Sequence, residues 1–384
     1  MNILSAVDGF FPSAGGSEKQ AILIAENLVL RGHHVDYVCP WLLEQQAQTE
    51  SLNGIRCQRL GFLRVPGLAS VTYVLNAAWF LLRHGRRYDV IHVHMVEKFA
   101  LALALVKPFL RARVLAKVAG ATEFDGGGVF DTRNTGWWAT LRRRLTLNIG
   151  VFQAISQDTV VRLNALGLPA DRILALPNAI DLNRFTPSAA LHAGPEDGPM
   201  VVVFTGRLVK EKSLPDLVRA AAVLRERGVT DIEFRLAGDG PLRSELEALV
   251  ARCHVQDTVH FLGEIDAVDR FLSEAHVYCQ VSYIEGLSNS VLEAMASALP
   301  CVLSLIQGNA DLLRDGSNGL GVPVGDPESI ADALQRLQAD RTWCREMGTA
   351  ARRGIEARFG VEQVVSAIER CYRGESLAPA LESS

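Results

Sequence analysis

The sequence predicts an α/β protein made of two Rossmann-like domains, and three observations carry that prediction. Short runs of β-branched and apolar residues alternate with helix-length periodic segments almost from end to end, as parallel sheets covered by helices require. The alternation pauses once, at Leu176 to Pro187, where Pro177, Asn178, Asp181, Asn183 and Pro187 gather, and restarts after the polar Gly194 to Pro199 stretch. A chain of 384 residues is also too long for one ordinary core and suits two.

In the first half the strand-like runs are Ile3 to Val7, His34 to Cys39, Ile55 to Leu60, Val90 to His94, Val114 to Val118 and Phe152 to Ile155. The clearest helix is Ser17 to Leu30, with Ala21, Ile24, Ala25 and Leu28 on one face and Gly32 where a left-handed residue closes it. In the second half the strands are Val201 to Thr205, Glu233 to Ala237, Val259 to Leu262, Val277 to Val281 and Val302 to Leu305, with helices near 214 to 227, 242 to 252, 289 to 298 and 328 to 338. The expected divisions are a first domain over 1–178, a linker over 179–198, a second domain over 199–358, and a last helix and tail over 359–384 that return to the first domain. Ligands of such sheets bind beyond the carboxyl ends of the strands, so the two domains are expected to face each other across a cleft.

Composition narrows the class. Hydrophobic residues at 48% and charged residues at 21% exclude a disordered chain. The seven cysteines are scattered, with no C-x-x-C, which argues for buried thiols in a reducing cytosol and against a structural metal. Met1 to Val7 is already strand-like, with no basic region before it, so a cytoplasmic location is expected. The longest apolar stretch, Leu68 to Leu82, is broken by Ser70, Thr72 and Asn76 and falls short of the roughly 20 residues that span a bilayer. It reads as a buried helix. The net charge of −4 divides into +6 over residues 1–180 and −10 over the rest, so the first half could meet an anionic membrane or phosphate-bearing partner, or could simply be soluble. No nucleic-acid partner is expected.

Four local patterns carry chemistry, each with a plain structural alternative. The first strand runs through Gly15-Gly16-Ser17 into a helix, where paired glycines let backbone N–H groups approach a phosphate at the positive end of the helix; a turn with Ser17 as N-cap is the alternative. Gly206-Arg207-Leu208, with Lys212 five residues beyond Arg207, sets two cations at a strand end, able to neutralise a departing diphosphate; solvated surface charge is the alternative. Ala237-Gly238-Asp239-Gly240-Pro241-Leu242 is a strand-to-helix turn small enough for a nucleobase to lie over it; a plain turn is the alternative. The sharpest is Glu285-Gly286-Leu287-Ser288-Asn289-Ser290-Val291-Leu292-Glu293. Here the N–H groups of Leu287, Ser288 and Asn289 start a helix, one carboxylate precedes it and the other lies over a turn inside it. A capped amphipathic helix with two incidental glutamates is the alternative.

Taken together, in this order and spacing, these motifs resemble those of the retaining GT-B glycosyltransferases of family four. The likeness covers nearly the whole chain, with Pro177-Asn178-Ala179-Ile180-Asp181 at the linker and Asn318-Gly319 near the end. The resemblance implies a donor nucleotide sugar held mainly by the second domain. Arg207 and Lys212 would bind its diphosphate, with Gly15 and Gly16 reaching from the first domain. Gly238 and Leu242 would lie near the base, Glu293 would hold the ribose, and Glu285 would contact the transferred sugar. It further implies retention of configuration, no metal and no cofactor, and a sugar or lipid-linked glycan as acceptor.

One departure stands out. Many relatives carry a His near the active centre at the end of a first-domain strand, where Ala119 stands in Ala116-Lys117-Val118-Ala119-Gly120-Ala121. Lys117, as in a subset of relatives, would take over a polar role, with Glu123 and His94 as further candidates on the acceptor side; the alternative for His92 and His94 is a structural one. Trp137-Trp138 followed by Arg142-Arg143-Arg144 suits a membrane interface or an inward-packed pair with solvated arginines. The rival functions are a nucleotide-sugar epimerase, which would need no acceptor, and a non-catalytic sugar-nucleotide-binding subunit. The second fits poorly with Arg207, Lys212, Glu285 and Glu293 all present. A nicotinamide enzyme lacks its G-x-G-x-x-G.

Overall fold

The computed structural model describes residues 1–11, 15–188 and 198–375. It divides into two compact units, Met1–Ala179 joined by the chain from Val361 onward, and Ile180–Gly360.

Unit 1 is an eight-stranded sheet. Its strands in chain order are β1 (Asn2–Ala6), β2 (His34–Pro40), β3 (Thr49–Leu52), β4 (Ile55–Leu60), β5 (Val90–Val93), β6 (Arg113–Val118), β7 (Val151–Ala154) and β8 (Ile173–Ala175). They lie side by side as β3-β4-β2-β1-β5-β6-β7-β8, all parallel except the edge strand β3. The helices are α1 (Gly16–Leu30), α2 (Ala69–His84), α3 (Lys98–Val106), α4 (Ala121–Phe124), α5 (Trp137–Thr146) and α6 (Gln157–Ala165). Two cores result. Tyr73, Ala77, Phe80 and Leu81 of α2 pack with Phe99 and Leu103 of α3 on one side of the sheet, while Ala21, Ile24 and Leu28 of α1 pack with the C-terminal helix Val361–Arg373 on the other. That last helix earns its place by periodicity: Val361, Val364, Val365, Ile368 and Tyr372 form one buried face. Arg31 and His33 fix it by their bonds to Glu369, at 2.8 and 2.6 Å.

Unit 2 is a six-stranded, wholly parallel sheet in the order β11-β10-β9-β12-β13-β14. Its strands are β9 (Met200–Thr205), β10 (Ile232–Ala237), β11 (Val259–Gly263), β12 (Val277–Gln280), β13 (Cys301–Ser304) and β14 (Gly319–Val322). Its helices are α7 (Leu214–Glu226), α8 (Arg243–Arg252), α9 (Val268–Ser273), α10 (Asn289–Ala296), α11 (Pro327–Ala339) and α12 (Arg341–Arg358). The order in which strands are added reverses between β9 and β12, which makes this the topological switch point where ligands of such sheets bind.

Two sequence expectations change. The Leu68 to Leu82 stretch is a helix, but only its inner half is buried: Leu75 is 61% exposed and Trp79 64%. Continuous apolarity promised burial on all sides, and unit 1 offers the helix only one sheet face to pack on. The second change is at the start of α1, where the helix begins at Gly16 with Gly15 as N-cap, so Ser17 lies inside the first turn. Five cysteines are buried and Cys253 and Cys371 are half-buried; all seven are free thiols.

Candidate functional site

In unit 2 the loops that leave β9 and β10 are laced together by backbone bonds. Gly206 N–H donates to Ala237 O at 3.0 Å, Leu208 N–H to Asp239 O at 2.9 Å and Leu242 N–H to Leu208 O at 3.1 Å. Glycine is required for this approach. A Cβ at Gly238 would stand 1.9 Å from Gly206 O, one at Gly240 2.6 Å from Leu208 O, and Gly238 has φ +132°. The loop beyond β12 is held the same way, for a Cβ at Gly308 would meet Glu285 O at 2.3 Å and Gly286 O at 2.4 Å.

These loops bring a cation and a carboxylate together. Lys212, on a single turn after β9, lays its aliphatic arm near Gly206 and places Nζ 2.6 Å from Glu285 Oε1. Both side chains are mostly shielded, at 18% and 12% exposure, so the pair is stronger than a surface ion pair. Gln280, at the end of β12, donates to the same carboxylate oxygen at 3.2 Å. Its own amide is set by Ser288 Oγ at 3.2 Å, and its Oε1 accepts from the hydroxyls of Tyr278 at 3.1 Å and Ser290 at 3.3 Å. Arg207 is exposed and makes no salt bridge among the described residues. Ser288 is the N-cap of α10, Asn289 its first residue, and Glu293 stands half-buried one turn on.

In unit 1 the ends of β5 and β6 enclose a second group. The His92 and His94 rings stack with centroids 3.9 Å apart, and His92 Nδ1 lies 2.7 Å from Tyr372 OH. Burial, with Lys117 nearby, pushes His92 down to about 3 and lowers His94 likewise, so both rings are neutral. Lys117 is 1% exposed and its Nζ has no hydrogen-bond partner among the described residues. Burial brings it down to about 7, against a weaker opposing pull from Glu123. The Glu123 carboxylate is buried and accepts from Ala119 N–H at 2.8 Å. At the end of β1, Asp8 is raised by burial to about 6 and accepts from Phe99 N–H at 3.0 Å, in the first turn of α3. Glu18, in the first turn of α1, sets its carboxylate against Gly9 and Gly15, where an added Cβ would come within 2.1 Å of it.

Two family models match this chain and between them take in most of it. "Glycosyltransferase Family 4" matches residues 14–184 and "Glycosyl transferases group 1" matches residues 199–340. The chain is a GT-B glycosyltransferase of the family-four type. A relative along nearly the full length is the N-acetyl-alpha-D-glucosaminyl L-malate synthase of Bacillus anthracis, 25% identical over 94% of each chain. The lipopolysaccharide core biosynthesis glycosyltransferase LpsE of Rhizobium meliloti is 32% identical over 45% of this chain and 49% of its own. Among solved structures, Anabaena HepE in complex with UDP superposes with a TM-score of 0.78 at 18% identity, over 97% of this chain and 100% of that one.

Within this glycosyltransferase, the sequence-predicted residues of unit 2 fall at the carboxyl ends of β9, β10 and β12 and at the start of α10. Lys212 and Glu285 touch, while Gly238 and Leu242 act on the backbone of the Arg207 loop. Gly15 and Gly16 lie at the end of a different sheet, in unit 1. Lys117 near the end of β6, His94 just beyond β5 and Glu123 on α4 are all buried. Gln280, Gly308 and Asp8 lie outside the motifs that the sequence displays. A glutamine closing the otherwise apolar run Val277-Tyr278-Cys279 was the available signal for Gln280. Among the described residues no three His, Cys, Asp or Glu side chains cluster as a metal site would need.

Proposed function

We propose that this glycosyltransferase transfers a sugar from a nucleoside-diphosphate sugar to a hydroxyl of a saccharide or lipid-linked glycan, with retention of anomeric configuration and without a metal. The observation that carries the reading is the Lys212–Glu285 pair, 2.6 Å apart at the switch point of unit 2. When the anomeric C–O bond breaks, charge grows on the diphosphate oxygen. Lys212 and Arg207 are the cations placed to meet it. As Lys212 turns to the phosphate, Glu285 is released to accept hydrogen bonds from the transferred sugar. The acceptor oxygen then bonds to the anomeric carbon and its proton passes to the departing phosphate oxygen. Glu293 takes the ribose, the N-terminal turn of α10 takes phosphate oxygens, and Gly15 and Gly16 supply backbone N–H groups. Lys117, Glu123 and His94 belong to the acceptor side, where Lys117 replaces the relatives' histidine.

The relatives support this assignment. LpsE is named for lipopolysaccharide core synthesis, and HepE is solved with UDP. A cytoplasmic location, where nucleotide sugars are made, accords with it. The test is nucleotide release by purified protein from a panel of UDP- and GDP-sugars, UDP-sugars first, with acceptor and EDTA present. Release that depends on acceptor and survives EDTA, with the product's anomeric signal matching the donor's in proton NMR, supports the proposal. Donor isomerisation without acceptor would instead make the protein an epimerase, and loss of turnover in EDTA would return the diphosphate charge to a metal.

A further inference from the structure

Donor and acceptor chemistry leaves the outer face of α2 unexplained. Tyr73, Ala77, Phe80 and Leu81 point into the core, and the opposite face repeats Leu68, Val71, Leu75, Trp79 and Leu82, each between 45% and 64% exposed. A helix that is apolar all round is normally buried all round. Next to it α3 packs on α2 and α5 packs on α3, all on the same side of the unit 1 sheet. These neighbours continue the apolar face with Leu105 and Phe109, then with Trp137 at 78% exposure and Trp138 at 50%. Large apolar side chains left exposed on helices that pack side by side mark an interaction site.

Charge identifies the occupant. Residues 60–88, 98–112 and 132–150, which contain these three helices, hold eleven Lys or Arg, none of them buried, and no Asp or Glu. Arg64, Arg83, Arg86, Arg111 and Arg144 are among the exposed ones, at or beyond the helix ends rather than on the apolar stripe. We propose that the face formed by α2, α3 and α5 seats unit 1 on the surface of an anionic lipid bilayer. Apolar side chains with tryptophans enter the interface while arginines at the margin meet phosphate headgroups. No described helix is long and apolar enough to cross a membrane, so this is contact from one side. An acidic protein partner would be met by the arginines but gains nothing from the stripe, and a second copy of this face would bring two basic margins together. The proposal stands on unit 1 alone and is independent of the donor chemistry.

Flotation of the full chain with extruded vesicles tests it. Vesicles of phosphatidylcholine with one-third phosphatidylglycerol should carry the protein, pure phosphatidylcholine should carry far less, and half-molar salt should weaken the binding. The double variant Leu75→Ser, Trp79→Ser should lower partition at least about tenfold, by losing two apolar groups that enter the interface. Removing one arginine, Arg83→Gln, should lower it about fivefold. Both variants alter exposed side chains, so melting temperature and donor turnover in detergent should remain those of the unaltered chain, which separates this proposal from the transferase assignment. Failure to float with anionic vesicles, or equal flotation of the double variant, overturns it. So does a concentration-dependent dimer in light scattering that the double variant converts to monomer, since the face would then join two copies.

Discussion

Lys117 offers the sharpest physical test, because the structure assigns it a cost that stability measurements can read. An amine ordinarily titrates near 10.5, and burial at the end of β6 brings this one to about 7. Between those values the unfolded chain binds a proton that the folded chain does not, so stability rises with pH across that window. The whole difference corresponds to a penalty on the order of 5 kcal/mol, fully present below about pH 7 and relieved by about pH 10.5. Lys117→Met keeps the volume and removes the amine. The variant should be more stable than the unaltered chain by several kcal/mol at pH 7 and by only about 2 kcal/mol at pH 9. Buried tyrosines and cysteines that resist ionisation also tilt the alkaline side, but they are common to both proteins and cancel in the difference. Urea unfolding of both proteins at pH 7 and pH 9 decides the matter. A variant less stable at pH 7, or an advantage unchanged at pH 9, would refute the reasoning. Turnover measured on the same samples then tests the acceptor-side role: if Lys117→Met is more stable and loses activity, the lysine is retained for chemistry.

The remaining predictions concern unit 2. Arg207→Ala and Lys212→Ala should each lower turnover roughly 10²- to 10³-fold, but only Lys212→Ala should also lower the melting temperature, since it leaves the shielded Glu285 carboxylate without its cation. Glu285→Gln should reduce kcat more than donor affinity, while Glu293→Gln should act mostly on KM; steady-state kinetics with varied donor and saturating acceptor separates them, and full kcat in Glu285→Gln would remove it from the transferred sugar. Gly238→Ala should destabilise the protein by about 2 to 4 kcal/mol, from the clash with Gly206 O and the positive φ, read as a fall in the urea midpoint.

The parallel strands were legible in the sequence because burial on both faces leaves a plain signature, as in Met200-Val201-Val202-Val203-Phe204, where every residue is buried. The three-residue β8, Ile173–Ala175, is too short to stand out, and β3 and β14 lack that signature for identifiable reasons. β3 is a half-exposed edge strand reading Thr-Glu-Ser-Leu, and β14 carries Gly319 and Gly321 because side chains there would strike Cys301 O and Leu305. Glycine at those positions is a packing requirement and resembles a turn signal. The candidate site residues are legible where one motif holds them, as in Glu285 to Glu293. Gln280 and Gly308 belong to neighbouring strand ends, and nothing local says that a glutamine on β12 will hold a glutamate five residues on. The same limit applied to α2, where apolarity announced a helix but could not say that one side would lack a covering layer.

Lys212 and Glu285 show how the motifs of unit 2 would work as one device under the proposed function. Each side chain is shielded enough that an isolated charge would be expensive, and each lies where a ligand of opposite or complementary chemistry is expected. Paired at 2.6 Å they hold each other in place without a ligand, with Gln280 sharing the carboxylate so that its oxygen stays oriented when the ammonium leaves. Under the proposed function a diphosphate would exchange for the carboxylate at Lys212, and sugar hydroxyls for the ammonium at Glu285. Neither charge would be stranded at any stage of that exchange, so the site would need little reorganisation when donor enters. The close-packed glycines serve the same end. Gly206, Gly238, Gly240 and Gly308 lock the loops of β9, β10 and β12 by close packing, so that on the proposed mechanism a ligand would displace the two partners against a fixed scaffold. A lone surface cation or an incidental helix-capping glutamate would have no use for such support, which is the physical reason to read these residues as a donor site.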